Sequence, residues 1–189
     1  MVLDKETVEI RFHARAGQGA KVASNIFVEG ALLDGKYIQA FPEYGADRTG
    51  APMRTFVRIS KKQIRTTEQV IEPDVLLVLD SSLLDKIKVA DGLKKDGLFI
   101  INTNQAPDVI RKKTGFSGNI HTVDATEIAF RLMGKNFPNV IMLGALSKLT
   151  GLVSLKTLQT LFKENYAGRL KPELVEANLK AMAEGYQIK

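Results

Sequence analysis

The chain opens on an alternation: Val8, Ile10 and Phe12 are separated by Glu9 and Arg11, the period of two expected of a half-buried strand over residues 7–13. Beyond Gly17-Gln18-Gly19 the period changes. Val22, Ala23, Ile26, Phe27, Gly30 and Leu33 recur every three or four residues, predicting a helix over 20–33 that Asp34-Gly35 ends. Strands are predicted at 37–41 and 53–59, joined by a glycine- and proline-bearing loop from Pro42 to Pro52. Residues 74–80 and 97–102 are short continuous apolar runs, the pattern of strands buried on both faces, as in parallel sheets. A weaker strand falls at 120–123. Ser81 and Ser82 offer a capped start to a short helix through Leu84 and Ile87. Asp124 and Glu127 mark the start of another over 125–133. From Asn139 onward the pattern is helical, over 141–150, 154–166 and 172–185, with Pro172 at a helix-opening position. Strands alternating with helices, then a helical tail, predict an α/β fold: one three-layer α/β/α domain over residues 1–189, with a mostly parallel or mixed sheet and a helical C-terminal segment.

Composition narrows the chemistry. At 189 residues the chain buries a full core without staples. It has no cysteine, which excludes disulfides, a thiolate zinc site, a cysteine nucleophile and cysteine-ligated clusters within it. Its two histidines, His13 and His121, lie far apart, so no histidine-rich metal site is expected. A net charge of +6 favours an anionic partner. Without tryptophan or regularly interleaved aromatics, nucleic acid is not the expected one. No apolar run approaches the ~18 residues of a membrane span, and the N-terminus lacks a basic and an apolar leader region, so a cytoplasmic location with no membrane contact is expected.

Two loops stand out as candidate chemistry. The segment from Ala14 to Lys21 lies between a predicted strand and a helix, where glycines let backbone approach an anion and the helix start offers free N–H groups. Neither the dinucleotide fingerprint nor the P-loop fits: Val22 stands at the third glycine position and the Gly-Lys-Ser/Thr ending is absent. A tight turn without ligand and an anion- or partner-facing loop both remain open. In the second loop, Arg48 either clamps a phosphate or carboxylate bidentately or pairs on the surface with Asp47 or Glu43. His13, at a strand end, is either a general base or a satisfied structural residue.

Ile10-Arg-Phe-His-Ala-Arg-Ala-Gly-Gln-Gly19, Phe41-Pro-Glu-Tyr-Gly-Ala-Asp-Arg-Thr-Gly-Ala-Pro52 and Asn139-Val-Ile-Met-Leu-Gly-Ala-Leu-Ser occur in that order. Together they resemble three motifs of the gamma subunits of the 2-oxoacid:ferredoxin oxidoreductases, most closely those of pyruvate:ferredoxin oxidoreductases (pyruvate synthases). Ala14 and Ala16 replace two glycines of the family's first loop, a costly exchange wherever glycine takes positive φ. The resemblance implies a subunit of a complex that converts pyruvate and coenzyme A reversibly to acetyl-CoA and carbon dioxide and reduces ferredoxin or flavodoxin. It further implies alpha, beta and delta partner subunits, with thiamine diphosphate and Mg²⁺ on alpha and beta, and 4Fe-4S clusters on beta and delta. No catalytic or metal residue is assigned to this chain. Gly17, Gln18, Gly19 and Arg48, with Asn139, are expected to help hold coenzyme A. Two alternatives stand beside this: the gamma subunit of an indolepyruvate or 2-oxoisovalerate enzyme, and a free-standing coenzyme A- or nucleotide-binding module.

Overall fold

The computed structural model describes residues 3–43 and 50–188, so Tyr44, Asp47 and Arg48 lie outside the described residues. In chain order the elements are β1 (Thr7–Arg15), α1 (Ala20–Leu33), β2 (Tyr37–Glu43), β3 (Pro52–Ser60), β4 (Val75–Val78), a 3₁₀ helix (Ser81–Asp85), β5 (Leu98–Asn102), α2 (Pro107–Thr114), β6 (Asn119–Val123), α3 (Ala125–Met133), α4 (Asn139–Thr150), α5 (Leu155–Tyr166) and α6 (Pro172–Tyr186). The strands form one sheet in the order β2-β3-β1-β4-β5-β6. On one side of β1 the pairing is parallel, through β4 and β5 to β6. On the other it is antiparallel, to β3 and then β2. The sheet is therefore mixed, with β1 at the change of direction.

The alternation in β1 sorts its side chains. Val8, Ile10, Phe12 and Ala14 join a core shared with α1 and α3 to α6, packing on Leu77 of β4 and Ile100 of β5. The other face of the parallel half is closed by a second cluster, in which Leu76, Val78, Phe99 and Ile101 meet Leu83 of the 3₁₀ helix and Ile110 of α2. Both faces of β4 and β5 are thus apolar, as their sequences predict. On β1 and β3 that second face instead carries Glu9, Arg11, His13, Arg54 and Arg58, set against one another by the register Glu9↔Arg58 and His13↔Arg54. The segment after β3 crosses it, accepting Gln39 Nε2 at the Thr66 carbonyl (3.0 Å) and Arg11 at the Ile71 carbonyl (3.3 Å).

α4 is buried almost all round. It crosses α6 closely enough that a Cβ at Gly144 would lie 2.0 Å from the Met182 carbonyl oxygen, and one at Gly185 2.0 Å from that of Ile141. The helix after β4 differs from expectation: it is a single 3₁₀ turn, and its cap is Asp80, whose carboxylate accepts from the Ser82 N–H, rather than a serine. α2 was not anticipated. It buries only Ile110, so it has no apolar stripe, although Pro107 at its start and Arg111, Lys112 and Lys113 in its last turn are terminus signals.

Candidate functional site

The β1–α1 turn is built on two left-handed glycines, Gly17 (φ 98°) and Gly19 (φ 77°). No described non-glycine residue has positive φ, so Ala14 and Ala16 sit in ordinary backbone and their replacement of glycine strains nothing. Ala14 is fully buried in β1.

Three sequence motifs meet at this turn. The first is tied to the end of the second by two backbone hydrogen bonds: Ala16 donates to Ala51 (2.9 Å) and Gly50 donates to Ala16 (3.2 Å). Arg15 reinforces the tie, giving Nη1 to the Gly50 carbonyl (3.0 Å) and Nη2 to Ser82 Oγ (2.8 Å). Gln18 is spent on the turn itself. Its Oε1 accepts from the Arg15 N–H (2.8 Å), and its Nε2 donates to Asp80 Oδ2 (2.7 Å). Asp80 is desolvated, which favours its neutral form, but hydrogen bonds from Ser82 and Gln18 and the Arg15 charge outweigh this and hold its pKa below the usual carboxylate range. Arg15 and Asp80 were not among the expected site residues. Arg15 lies inside the first motif and Asp80 ends an apolar strand, and those positions are the signals that would have found them.

The third motif arrives through Asn139. A Cβ on Gly19 would lie 2.6 Å from Asn139 Nδ2, so the amide packs directly on the glycine. α1 and α4 both start here. Neither has a side-chain cap, and neither carries an acid in its first turn. Two helix starts without side-chain caps, each the positive end of its dipole, therefore lie beside one another. Beside it opens a cavity of about 360 Å³, walled by Val22, Phe137, Tyr166 and Leu170 and edged by Asn139 and Lys135. Past Gln18, at the carboxyl ends of β4 and β5, a smaller crevice of about 260 Å³ is lined by Asp80, Asn102 and Asp124. Asn102 is fixed there by bonds to the Leu79 carbonyl and Thr126 Oγ1, both 2.9 Å. Such acceptor-rich walls suit hydroxyl or amine donors rather than phosphates.

Gly17, Gln18, Gly19 and Asn139 are thus brought together. Arg48 falls outside the described residues, but Glu43, one of its candidate partners, is engaged at both oxygens by Arg54 at 2.8 Å. His13 lies on the opposite face of the sheet. It is 3% exposed, and burial first, then the charges of Arg11 and Arg54, push its pKa down to about 3. Among the described residues no three His, Asp or Glu side chains gather as a metal site, and no helix is long and apolar enough to cross a membrane.

Residues 9–188 match the family model for pyruvate ferredoxin/flavodoxin oxidoreductase. The chain belongs to this family. Among its relatives, the pyruvate synthase subunit PorC of Thermotoga maritima is 46% identical, over 99% of this chain and 97% of that one. The Pyrococcus abyssi pyruvate/ketoisovalerate oxidoreductases common subunit gamma is 45% identical, over 95% of this chain and 96% of that one. The crystal structure of the Thermotoga maritima PORC subunit superposes with a TM-score of 0.87, covering 97% of each chain. The family's α/β fold is therefore the fold of this chain. The glycine turn and the Asn139 helix start both lie within the matched residues.

Proposed function

We propose that this chain is the gamma subunit of a pyruvate:ferredoxin oxidoreductase, and that its part in the reaction is to seat coenzyme A. The observation carrying this reading is the meeting of the three motifs. The phosphates of coenzyme A are received by the paired starts of α1 and α4, with backbone N–H groups at Gly17 and Gly19 and the amide of Asn139. Arg48, in the loop whose end is bonded to the turn, is assigned to the same ligand. Gln18 acts one step removed, holding the turn against Asp80 and the Arg15 N–H. Thiamine diphosphate and Mg²⁺ supply the carbon chemistry from the alpha and beta chains. Iron–sulfur clusters belong on beta and delta, since a chain without cysteine offers no thiolate to hold them. Ferredoxin or flavodoxin takes the electrons, and the complex works in the cytoplasm. The Pyrococcus abyssi relative is named for both pyruvate and ketoisovalerate enzymes, which supports choice of the 2-oxoacid lying outside the gamma chain.

The test is viologen reduction by the assembled complex, purified anaerobically through a tag on this chain. Replacing Arg48 or Asn139 by Ala raises the KM for coenzyme A about tenfold, the loss of roughly 1.4 kcal/mol of binding, and leaves the KM for pyruvate unchanged. Unchanged coenzyme A KM values in both variants reject the seat. A chain that emerges alone and colourless rejects the subunit reading itself.

A further inference from the structure

Beside the paired starts of α1 and α4 lies room that a phosphate seat does not fill. The cavity there holds about 360 Å³, at the lower end of the roughly 300–1,000 Å³ typical of small-molecule sites. Four helices meet in its walls, with Val22 from α1, Val140 from α4, Phe162 and Tyr166 from α5 and Leu174 from α6. The Phe162 and Tyr166 rings stack, 4.6 Å between centroids and 25° between planes, which fixes a flat aromatic surface. Phe137 brings a third ring from the connection between α3 and α4 and stays 46% exposed, so the core has not consumed it.

The few polar groups in this apolar lining set the occupant's chemistry. Asn178 is 8% exposed and gives Nδ2 to the Leu174 carbonyl (2.7 Å), which orients the amide and leaves Oδ1 as an acceptor. Asn139 adds a second amide. Lys135, exposed to water, is the one charged residue of the described lining. An alkyl chain would leave both amides unpaired. A flat heteroaromatic ring that carries an amino group and is joined to phosphate uses all three features: the aromatic surface, the amide oxygen and the cation.

We propose that this cavity seats the adenine of coenzyme A, packed against the aromatic rings, with its amino group donating to Asn178 Oδ1 and the 3′-phosphate toward Lys135. The proposal rests on the coenzyme A seat described above and names the part of the ligand that this chain keeps. Two arms leave the pyrophosphate of coenzyme A. The thiol-bearing arm has to leave this chain to reach the thiamine held by the alpha and beta subunits. The adenosine arm is the one that remains, and the cavity adjoins the helix starts that receive the phosphates.

The experiment uses the assembled complex in the viologen assay, with two fragments of coenzyme A as competitors against it. Adenosine 3′,5′-bisphosphate keeps the base, and 4′-phosphopantetheine lacks it. Phe137→Ala, at a position exposed enough to spare the fold, raises the KM for coenzyme A and the Ki of the bisphosphate about tenfold each, the weight of one ring packed on a base. It leaves the Ki of phosphopantetheine unchanged. Phe137→Tyr, which keeps the ring, restores both constants. An unchanged coenzyme A KM in Phe137→Ala, beside a raised one in Arg48→Ala, overturns the adenine pocket and leaves the coenzyme A seat standing. Unchanged values in Phe137→Ala, Arg48→Ala and Asn139→Ala together overturn both. A phosphopantetheine Ki that rises in Phe137→Ala while that of the bisphosphate stays fixed gives the cavity to the other arm and overturns the proposal as well.

Discussion

The inner strands of the sheet's two halves are buried alike and filled differently. Val75 to Val78 of β4 and Leu98 to Ile101 of β5 are almost wholly hidden, and every one is apolar. On β1 and β3, Arg11, His13 and Arg58 are hidden to the same degree, at 5%, 3% and 3% exposure. What differs is the cover. Apolar side chains of α2 and the 3₁₀ helix close the parallel half, so only apolar residues fit there. An irregular segment crosses the antiparallel half and offers backbone carbonyls, at Thr66 to Gln39 and at Ile71 to Arg11, so polar and cationic groups can be buried against it. Two-sided apolar packing is confined to the first half, and buried polar atoms without a hydrogen-bond partner, on Arg11, His13 and Thr55, gather in the second.

That division makes a core deletion in the parallel half the most damaging change. Leu77 is fully buried between β4's neighbours and the helical layer, and Leu77→Ala should cost about 2–5 kcal/mol, through lost transfer energy and a residual void. Urea denaturation of the full chain reads it directly. A loss below about 1 kcal/mol would mean that the helical layer collapses into the gap and that the parallel half is not the rigid one.

Asp74 tests the seam where the halves join. Its side chain is 1% exposed and accepts from Lys5 Nζ, Lys94 Nζ and the Glu9 N–H, each at 2.9 Å. Burial favours its neutral form, yet the hydrogen bonds of Lys5, Glu9 and Lys94 prevail and lower its pKa below the ordinary value. A carboxylate with a lowered folded pKa contributes stability above the unfolded pKa of ~3.9 and loses it as pH falls through the folded value. Asp74→Asn should therefore cost roughly 2–3 kcal/mol at neutral pH, less than a fully buried pair because both lysines stay partly wet. Its denaturation midpoint should fall less steeply than that of the unchanged chain below about pH 4. Parallel acid profiles would assign the acid sensitivity to other carboxylates.

Much of the parallel half was legible in the sequence, because a run such as Val75-Leu-Leu-Val78 reports its own two-sided burial. The same holds for α1 and α3, whose stripes and ends are written in apolar spacing, glycine and Asp124. α2 was not legible, since a helix held by Ile110 alone carries no period. α4 was read two residues short because burial all round erases the polar face that marks a boundary. At the site, the glycines and Asn139 were visible as motifs, while the Ala16–Ala51 and Gly19–Asn139 contacts that join them depend on chain segments 35 and more residues apart. Arg15 and Asp80 act through such contacts, so only their positions, inside the first motif and at the end of an apolar strand, set them apart from surface charges.

Arg58 gives the finest test of how the antiparallel half carries its charge. Its Nε donates to Glu9 Oε1 (2.7 Å), its Nη1 to Gln39 Oε1 (2.8 Å), and its guanidinium lies 5.8 Å from the Phe41 ring centre. A lysine keeps the charge beside Glu9 but cannot also reach Gln39, so Arg58→Lys should cost about 1–2 kcal/mol, one charge-assisted hydrogen bond and some ring contact. Combining it with Gln39→Leu isolates the fork. If the guanidinium bridges β1 to β2 through both partners, the double variant loses less than the sum of the singles, with a coupling of ~0.5–1 kcal/mol. Strict additivity would instead mean that charge alone holds this face, and that the planar donors of Arg58 are not what organises it.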